Sequence, residues 1–241
     1  MAGDPGQIEE NTARVQERME AACLRAGRRS EEVKLVAITK TVDTSRIRRA
    51  YAAGVRDFGE NRVQEADEKR PAVSDLTATW HLVGHLQTNK ARPARALFHW
   101  VHSIDSLRLA EKLHQAAACS GERLQILLQV KLGDEPAKSG IPEYEVQSLA
   151  EQVSRLETLD LRGLMTIPPL FEDPEQARPF YRRLRERARA IERARLPNVR
   201  MEELSMGMSH DFEVAIEEGA TLVRVGTAIF GERRQQKMNP E

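Results

Sequence analysis

Eight short apolar runs, separated by stretches of helical periodicity, constrain this chain more than any other feature. The runs are VKLVAI (33–38), VRDFGEN (55–61), WHLVGHLQ (80–87), HWVHSID (99–105), LQILLQVKL (124–132), LRGLMTIP (161–168), VRMEELSMG (199–207) and TLVRVGTAIFG (221–231). Between them come TSRIRRAYAAG after an Asp43 cap, RVQEADEKR, a helix through Ala91, SLRLAEKLHQAAACSG, EYEVQSLAEQVSRLE, EQARPFYRRLRERARAIERAR and DFEVAIEEG. One further helix, NTARVQERMEAACLRAG, precedes the first run; Val15, Met19, Ala22, Cys23 and Ala26 share one face and Gly27 supplies its stop. Strands alternating with helices build parallel βαβ units. Eight such units in 241 residues predict an α/β fold, a single (β/α)8 TIM barrel with an extra N-terminal helix within residues 1–30. A doubly wound open sheet is the alternative. No composition shift marks a linker, so the chain reads as one domain, 1–241, ending in a polar tail over 232–241.

Composition narrows the function classes. Lysine plus arginine equal aspartate plus glutamate at 37 each, which argues against a general nucleic-acid or membrane binder. No apolar run nears the roughly 20 residues a membrane span needs. The N-terminal MAGDPGQIEENTARV has no apolar leader core, so the cytoplasm is the expected compartment. The two cysteines, Cys23 and Cys119, read as packed thiols. The six histidines have no carboxylate at ligand spacing, so no metal is expected. The arginine-rich helix carries Glu186 and Glu192 and no aromatic interleaving. It reads as a solvated outer helix with i,i+4 pairs rather than an RNA surface.

A barrel of this kind gathers its chemistry at the C-terminal ends of its strands. Those ends deliver Lys40, then Glu60 and Asn61, then Gly84, His85 and Gln87, then His102 and Ser103. The later strands add Lys131, Met165 and Thr166, Ser205 through Ser209, and Arg224 with Gly226 and Thr227. A lysine in a partly apolar mouth gains access to its neutral amine, which condenses with aldehydes. Alone, a strand-end lysine more often snorkels to solvent. Here SMGMSHD and RVGTAIFG place glycine and hydroxyls directly after the last two strands. Barrels hold phosphates in those two loops. An aldehyde at one end and a phosphate at the other would satisfy both halves of the mouth.

Together LVAITK, FGENRVQE, WHLVGHLQTNK, DEPAKSGI, GLMTIP and LSMGMSHDFEVAIEEGATLVRVGTAIFG resemble the YggS/PROSC family of pyridoxal-phosphate homeostasis proteins. The likeness spans nearly the whole chain, and its C-terminal block is the most specific part. It implies the barrel of a fold-type III pyridoxal 5'-phosphate (PLP) protein, similar to that of alanine racemase. Residue by residue, it implies that Lys40 holds PLP as a Schiff base, that Ser209 with the backbone of Gly226 and Thr227 holds the phosphate, and that Arg224 faces the pyridine nitrogen. Asn61 and Met206 would line the ring, with Ser205, His81 and Met165 as secondary candidates. A fixed arginine cation there disfavours a protonated pyridine and makes PLP a weaker electron sink. The racemases carry a second, β-rich domain that supplies a catalytic tyrosine. This chain stops soon after its eighth run, and Tyr51, Tyr144 and Tyr181 all fall in helical patterns. The expected role is therefore intracellular PLP homeostasis or carriage without robust turnover and with no catalytic residue of its own. PLP-accepting apoenzymes are its expected partners, and a monomer is favoured over an oligomer. A narrow amino-acid racemase is the alternative, and a cofactor-free Schiff-base aldolase a third reading. Lys138 and Ser139 would shape the rim after the fifth run, and His85–Lys90 form a surface of open role.

Overall fold

A computed structural model describes residues 7–118, 121–133 and 139–232. Cys119, Lys138 and the tail beyond residue 232 lie outside the described residues. Among the described residues nine strands are present: β1 Lys34–Ile38, β2 Asp57–Glu60, β3 Thr79–Leu82, β4 Trp100–Ile104, β5 Leu124–Lys131, β6 Ile141–Pro142, β7 Leu159–Met165, β8 Val199–Met208 and β9 Leu222–Val225. Eight of them pair in the order β4-β3-β2-β1-β9-β8-β7-β5, every pair parallel, and β4 pairs with β5 to close the ring. The open-sheet alternative is thereby excluded. The two-residue β6 pairs with β5 outside the ring; its brevity hid it in the sequence.

The strands are buried on both faces over most of their length, as parallel strands under helices must be; the start of β8, with Arg200 and Glu202 exposed, is the main exception. Alternate residues point to opposite sides. In β1, Val36 and Ile38 join an inner cluster with Trp100, Leu127, Met165 and Leu222, while Leu35 and Ala37 face the helices. The barrel is thus a packed core rather than a pore.

The outer ring comprises α2 Thr44–Ala52, α3 Val63–Lys69, α4 Ala91–Leu97, α5 Leu107–Ala117, α6 Val146–Val153, α7 Arg178–Arg193, α8 Phe212–Glu217 and α9 Thr227–Phe230. The predicted N-terminal helix, α1 Gln7–Arg25, packs on α2, α8 and α9. Arg28 ties its end to the carbonyls of Ile216 and Ala220. Asp43 caps α2 as expected, accepting from the Arg46 N–H. The arginines of α7 pair mainly across elements rather than along the helix: Arg178, Arg182 and Arg185 meet Glu218, while Arg183 and Arg187 meet Glu143.

Three boundaries differ from expectation, and each shapes the mouth. The third run leaves the sheet after Leu82 rather than Gln87, because the chain turns against Asn61 at Gly84. The helix expected through Ala91 instead begins there, after a 3-10 turn over Thr88–Lys90. The last run ends as a strand at Val225. Residues Thr227–Phe230 wind into α9, whose amides at Ile229 and Phe230 bond back to the Gly226 carbonyl.

Candidate functional site

Lys40 stands two residues beyond β1 on a turn held from below by charge. Thr41, directly after it, adopts φ 62°, a left-handed conformation that a β-branched residue avoids. The neighbours force that turn. The Thr41 N–H donates to the Glu65 carboxylate, and the Thr41 hydroxyl donates to the Lys40 carbonyl at 2.6 Å. On the other side, the Thr39 hydroxyl donates to Glu60 Oε1 at 2.6 Å. Lys69 Nζ binds all three partners: the Thr39 carbonyl at 2.7 Å, Glu60 at 2.9 Å and Glu65 at 2.6 Å. Lys40 itself is half-buried. Glu60 is fully buried, and burial pushes its carboxyl above the ordinary value against the opposing pull of Thr39 and Lys69. Burial would raise Glu65 too, but Lys69, the Thr41 N–H and the nearby Lys40 charge hold it below the carboxylate norm. Glu65 and Lys69 were legible only as a charged i,i+4 pair in RVQEADEKR, which reads as helix surface.

Arg224 reaches into the barrel from β9, its Cα level with Val36 and Met208. It is 4% exposed. One terminal nitrogen donates to Ser205 Oγ at 2.7 Å and the other to the Thr166 carbonyl at 2.8 Å. Burial draws its pKa down to about 10, which leaves it a cation at neutral pH. Thr166 in turn donates to the Val130 carbonyl.

The loop after β8 brings Ser209 to α9, where its Oγ accepts from the Gly226 N–H at 3.2 Å and the Ala228 N–H at 3.3 Å. Glycines make this approach possible. Gly207 has φ 87°, and a Cβ there would sit 2.6 Å from Ala215 Cβ and 2.9 Å from Phe212 Cα. A Cβ on Gly226 would come within 3.4 Å of Ile38. Asp211 pins the loop by accepting from the Met208 N–H at 2.7 Å and from the buried Tyr181 hydroxyl at 2.6 Å. Burial first, and Asp211 beside it, push the Tyr181 phenol far above its ordinary range.

The strand order β8-β9-β1-β2 therefore brings Ser209, Gly226, Thr227, Arg224, Lys40 and Asn61 to four adjacent strand ends. Asn61 is held close to Gly84, where a Cβ would fall 2.2 Å from the Asn61 carbonyl oxygen. Met206 is placed differently: it is fully buried in the layer between sheet and helices, because its neighbour Ser205 faces the barrel interior. Met165 sits in the inner cluster, and His81 lies wholly buried on β3. Of the segment His85–Lys90, residues His85 to Asn89 line a separate cavity of about 410 Å³ with Asp105 and Ser106, and His85 meets Asp105 at 3.4 Å.

Comparison with known proteins gives the family and the fold. The family model described as alanine racemase, N-terminal domain, matches residues 4–234. A pyridoxal phosphate homeostasis protein of Aquifex aeolicus is 44% identical over 93% of this chain and 98% of its own. Its counterpart in Escherichia coli K12 is 42% identical over 95% and 98%. The chain belongs to the pyridoxal phosphate homeostasis protein family. Among solved structures, PipY of Synechococcus elongatus with PLP bound matches with a TM-score of 0.83 and 40% identity, over 93% of this chain and all of that one. Alanine racemase of Corynebacterium glutamicum shares the fold alone: TM-score 0.72, 17% identity, and 62% of its length covered.

The mouth fits PLP on its own chemistry. A buried fixed cation, a hydroxyl with adjoining backbone N–H groups, and a lysine on a braced turn match a pyridine, a phosphate and an aldehyde.

Proposed function

We propose that this chain binds PLP at the mouth formed by β8, β9, β1 and β2 and serves intracellular PLP homeostasis. The observation that carries the reading is the placement of Lys40, Arg224 and the Ser209–Gly226 cradle on adjacent strand ends. Lys40 Nζ would bond the aldehyde carbon with loss of water. Ser209 and the N–H groups of Gly226 and Thr227 would hold the phosphate, and Asn61 would border the ring. When bound, the cofactor supplies an aldehyde and an electron-withdrawing ring.

Arg224 would tune the bound cofactor toward weak carbanion stabilisation. Its cation, fixed by Ser205 and Thr166, opposes a proton on the pyridine nitrogen and so weakens the ring as an electron sink. The tyrosines supply no obvious second acid or base. Tyr181 is committed to Asp211, Tyr51 lies under the Arg56 guanidinium at 4.1 Å, and Tyr144 is exposed before α6. We therefore read the chain as a cytoplasmic carrier, monomeric, that yields PLP to accepting apoenzymes.

The test is incubation of PLP-loaded protein with single amino acids, followed by chiral analysis, beside transfer of PLP to an apoenzyme in dialysis-separated and mixed formats. Transfer without interconversion supports carriage. Steady racemisation that disappears in Lys40→Ala would replace it with a racemase.

A further inference from the structure

A continuous hydrogen-bond chain crosses the barrel interior beneath Arg224. Arg224 donates to Ser205 Oγ at 2.7 Å; Ser205 Oγ lies 2.9 Å from His102 Nδ1; His102 Nε2 lies 2.9 Å from His81 Nδ1; His81 Nε2 lies 2.9 Å from Asp57 Oδ1. Ser205, His102 and His81 are fully buried. Trp100 stacks on His81 with centroids 5.8 Å apart and braces it. Asp57, at the start of β2, is partly exposed and lines a cavity of about 310 Å³ at the opposite end of the barrel, with Lys34 and Arg56.

With both rings neutral, the Asp57 end fixes the direction of every proton up to Ser205. An arginine only donates and a carboxylate only accepts. Each neutral imidazole has one donor and one acceptor. Ser205 therefore donates to His102 Nδ1, His102 Nε2–H donates to His81 Nδ1, and His81 Nε2–H donates to Asp57. Both histidines are neutral and both carry the proton on Nε2. A second proton on His81 would set two N–H groups face to face at His102 unless that ring changed tautomer. His102 would then donate to Ser205, and the serine would lose its acceptor beside a fixed cation. Burial holds both imidazoles below their ordinary values, and Arg224 adds to this at His102.

We propose that Asp57, His81, His102 and Ser205 are positioning residues for Arg224, forming a chain of single polarity that fixes its guanidinium for the pyridine nitrogen. The inference rests on the PLP reading only for the identity of what Arg224 meets; the chain of hydrogen bonds runs between this protein's own side chains. Its end at Asp57 makes the N-terminal face of the barrel, remote from the mouth, a place where a substitution is felt at Arg224.

The experiment has two arms. Long-range proton–nitrogen spectra of the labelled full-length protein without PLP report the tautomers of His81 and His102. The expected result is Nε2–H for both, with neither ring titrating between about pH 8 and pH 6.5. Asp57→Ala should release the His81 tautomer, while Asp57→Asn, which keeps an acceptor oxygen, should restore it. In the second arm, PLP affinity and the visible maximum of the lysine-bound cofactor are measured for Ser205→Ala and Asp57→Ala. Ser205→Ala should weaken binding by about tenfold, the scale of one hydrogen bond to a charged group. Asp57→Ala should shift both readouts in the same direction, and Asp57→Asn should return them. A charged His81 or an Nδ1–H tautomer at His102 at neutral pH overturns the chain. So do unchanged affinity and absorption in both alanine variants. Failure of the wild type to bind PLP at all would instead remove the functional reading, and the tautomer arm would still decide the chain.

Discussion

Lys69→Met isolates the charge that holds the turn beneath Lys40. Glu60 is fully buried and meets Lys69 at 2.9 Å, and its Oε2 has no hydrogen-bond partner among the described residues. Removing one partner of a buried ion pair costs about 3–5 kcal/mol. Glu60 has an escape, since it can take up a proton. With an unperturbed pKa of about 4.3 and about 1.36 kcal/mol per unit, neutralising it costs roughly 4 kcal/mol at pH 7.5 and roughly 1 kcal/mol at pH 5. These figures cap the penalty from Glu60. The sign follows from linkage. A carboxyl whose folded pKa lies above its unfolded one loses stability as pH rises through that interval. The deficit of Lys69→Met should therefore be about 3–4 kcal/mol at pH 7.5 and about 1 kcal/mol at pH 5, read by denaturant unfolding. In a chain this long, 3 kcal/mol corresponds to a melting point lower by roughly 6–12 °C. Glu65 loses the same partner but is part solvated and keeps the Thr41 N–H. The double variant Glu60→Gln/Lys69→Met separates the two and should recover most of the loss at pH 7.5. A deficit equal at both pH values, or no recovery in the double variant, would refute the reasoning.

Other substitutions test the mouth and its supports. Gly84→Ala drives a Cβ to 2.2 Å from the Asn61 carbonyl oxygen and should cost about 2–3 kcal/mol in urea unfolding, with weaker PLP binding as Asn61 moves. Tyr181→Phe leaves Asp211 short of a donor and should cost about 1–3 kcal/mol, with the PLP phosphate held less firmly when affinity is titrated. His81 and His102 are held neutral in the folded state, so unfolding takes up protons on acidification. Thermal scans should show stability falling as pH drops below about 6.5, and Asp57→Ala should alter the slope.

How much of this was legible beforehand depends on whether a signal was local. Strand runs buried on both faces are local, so the alternation and the ring were readable from VKLVAI and its successors. The gathering of Lys40, Ser209, Arg224, Gly226 and Thr227 at one mouth was readable because strand ends converge in a barrel. Glu60 was placed at a strand end, yet its burial beside Lys69 depends on how α3 returns over β1. The His81–His102 contact joins residues on neighbouring strands whose register no local pattern fixes. Tyr181 was seen as a helix residue, as it is; its bond to Asp211 spans 30 residues and needs α7 laid against the β8 loop. Met206 fell on the helix side because one residue of strand register inverts every side chain. The end of β9 was misjudged because VGTAIFG is as apolar as a strand, while backbone bonding to the Gly226 carbonyl closes it into a helical turn.

The central claim is that Lys40 binds PLP covalently at this mouth. The most direct measurement is the visible spectrum of the purified protein with PLP, before and after borohydride, with peptide mass analysis and Lys40→Ala alongside. The account predicts a visible band that borohydride bleaches, a mass gain on the peptide holding Lys40, and neither in the variant. No band, or a reduced adduct on another lysine, would contradict it.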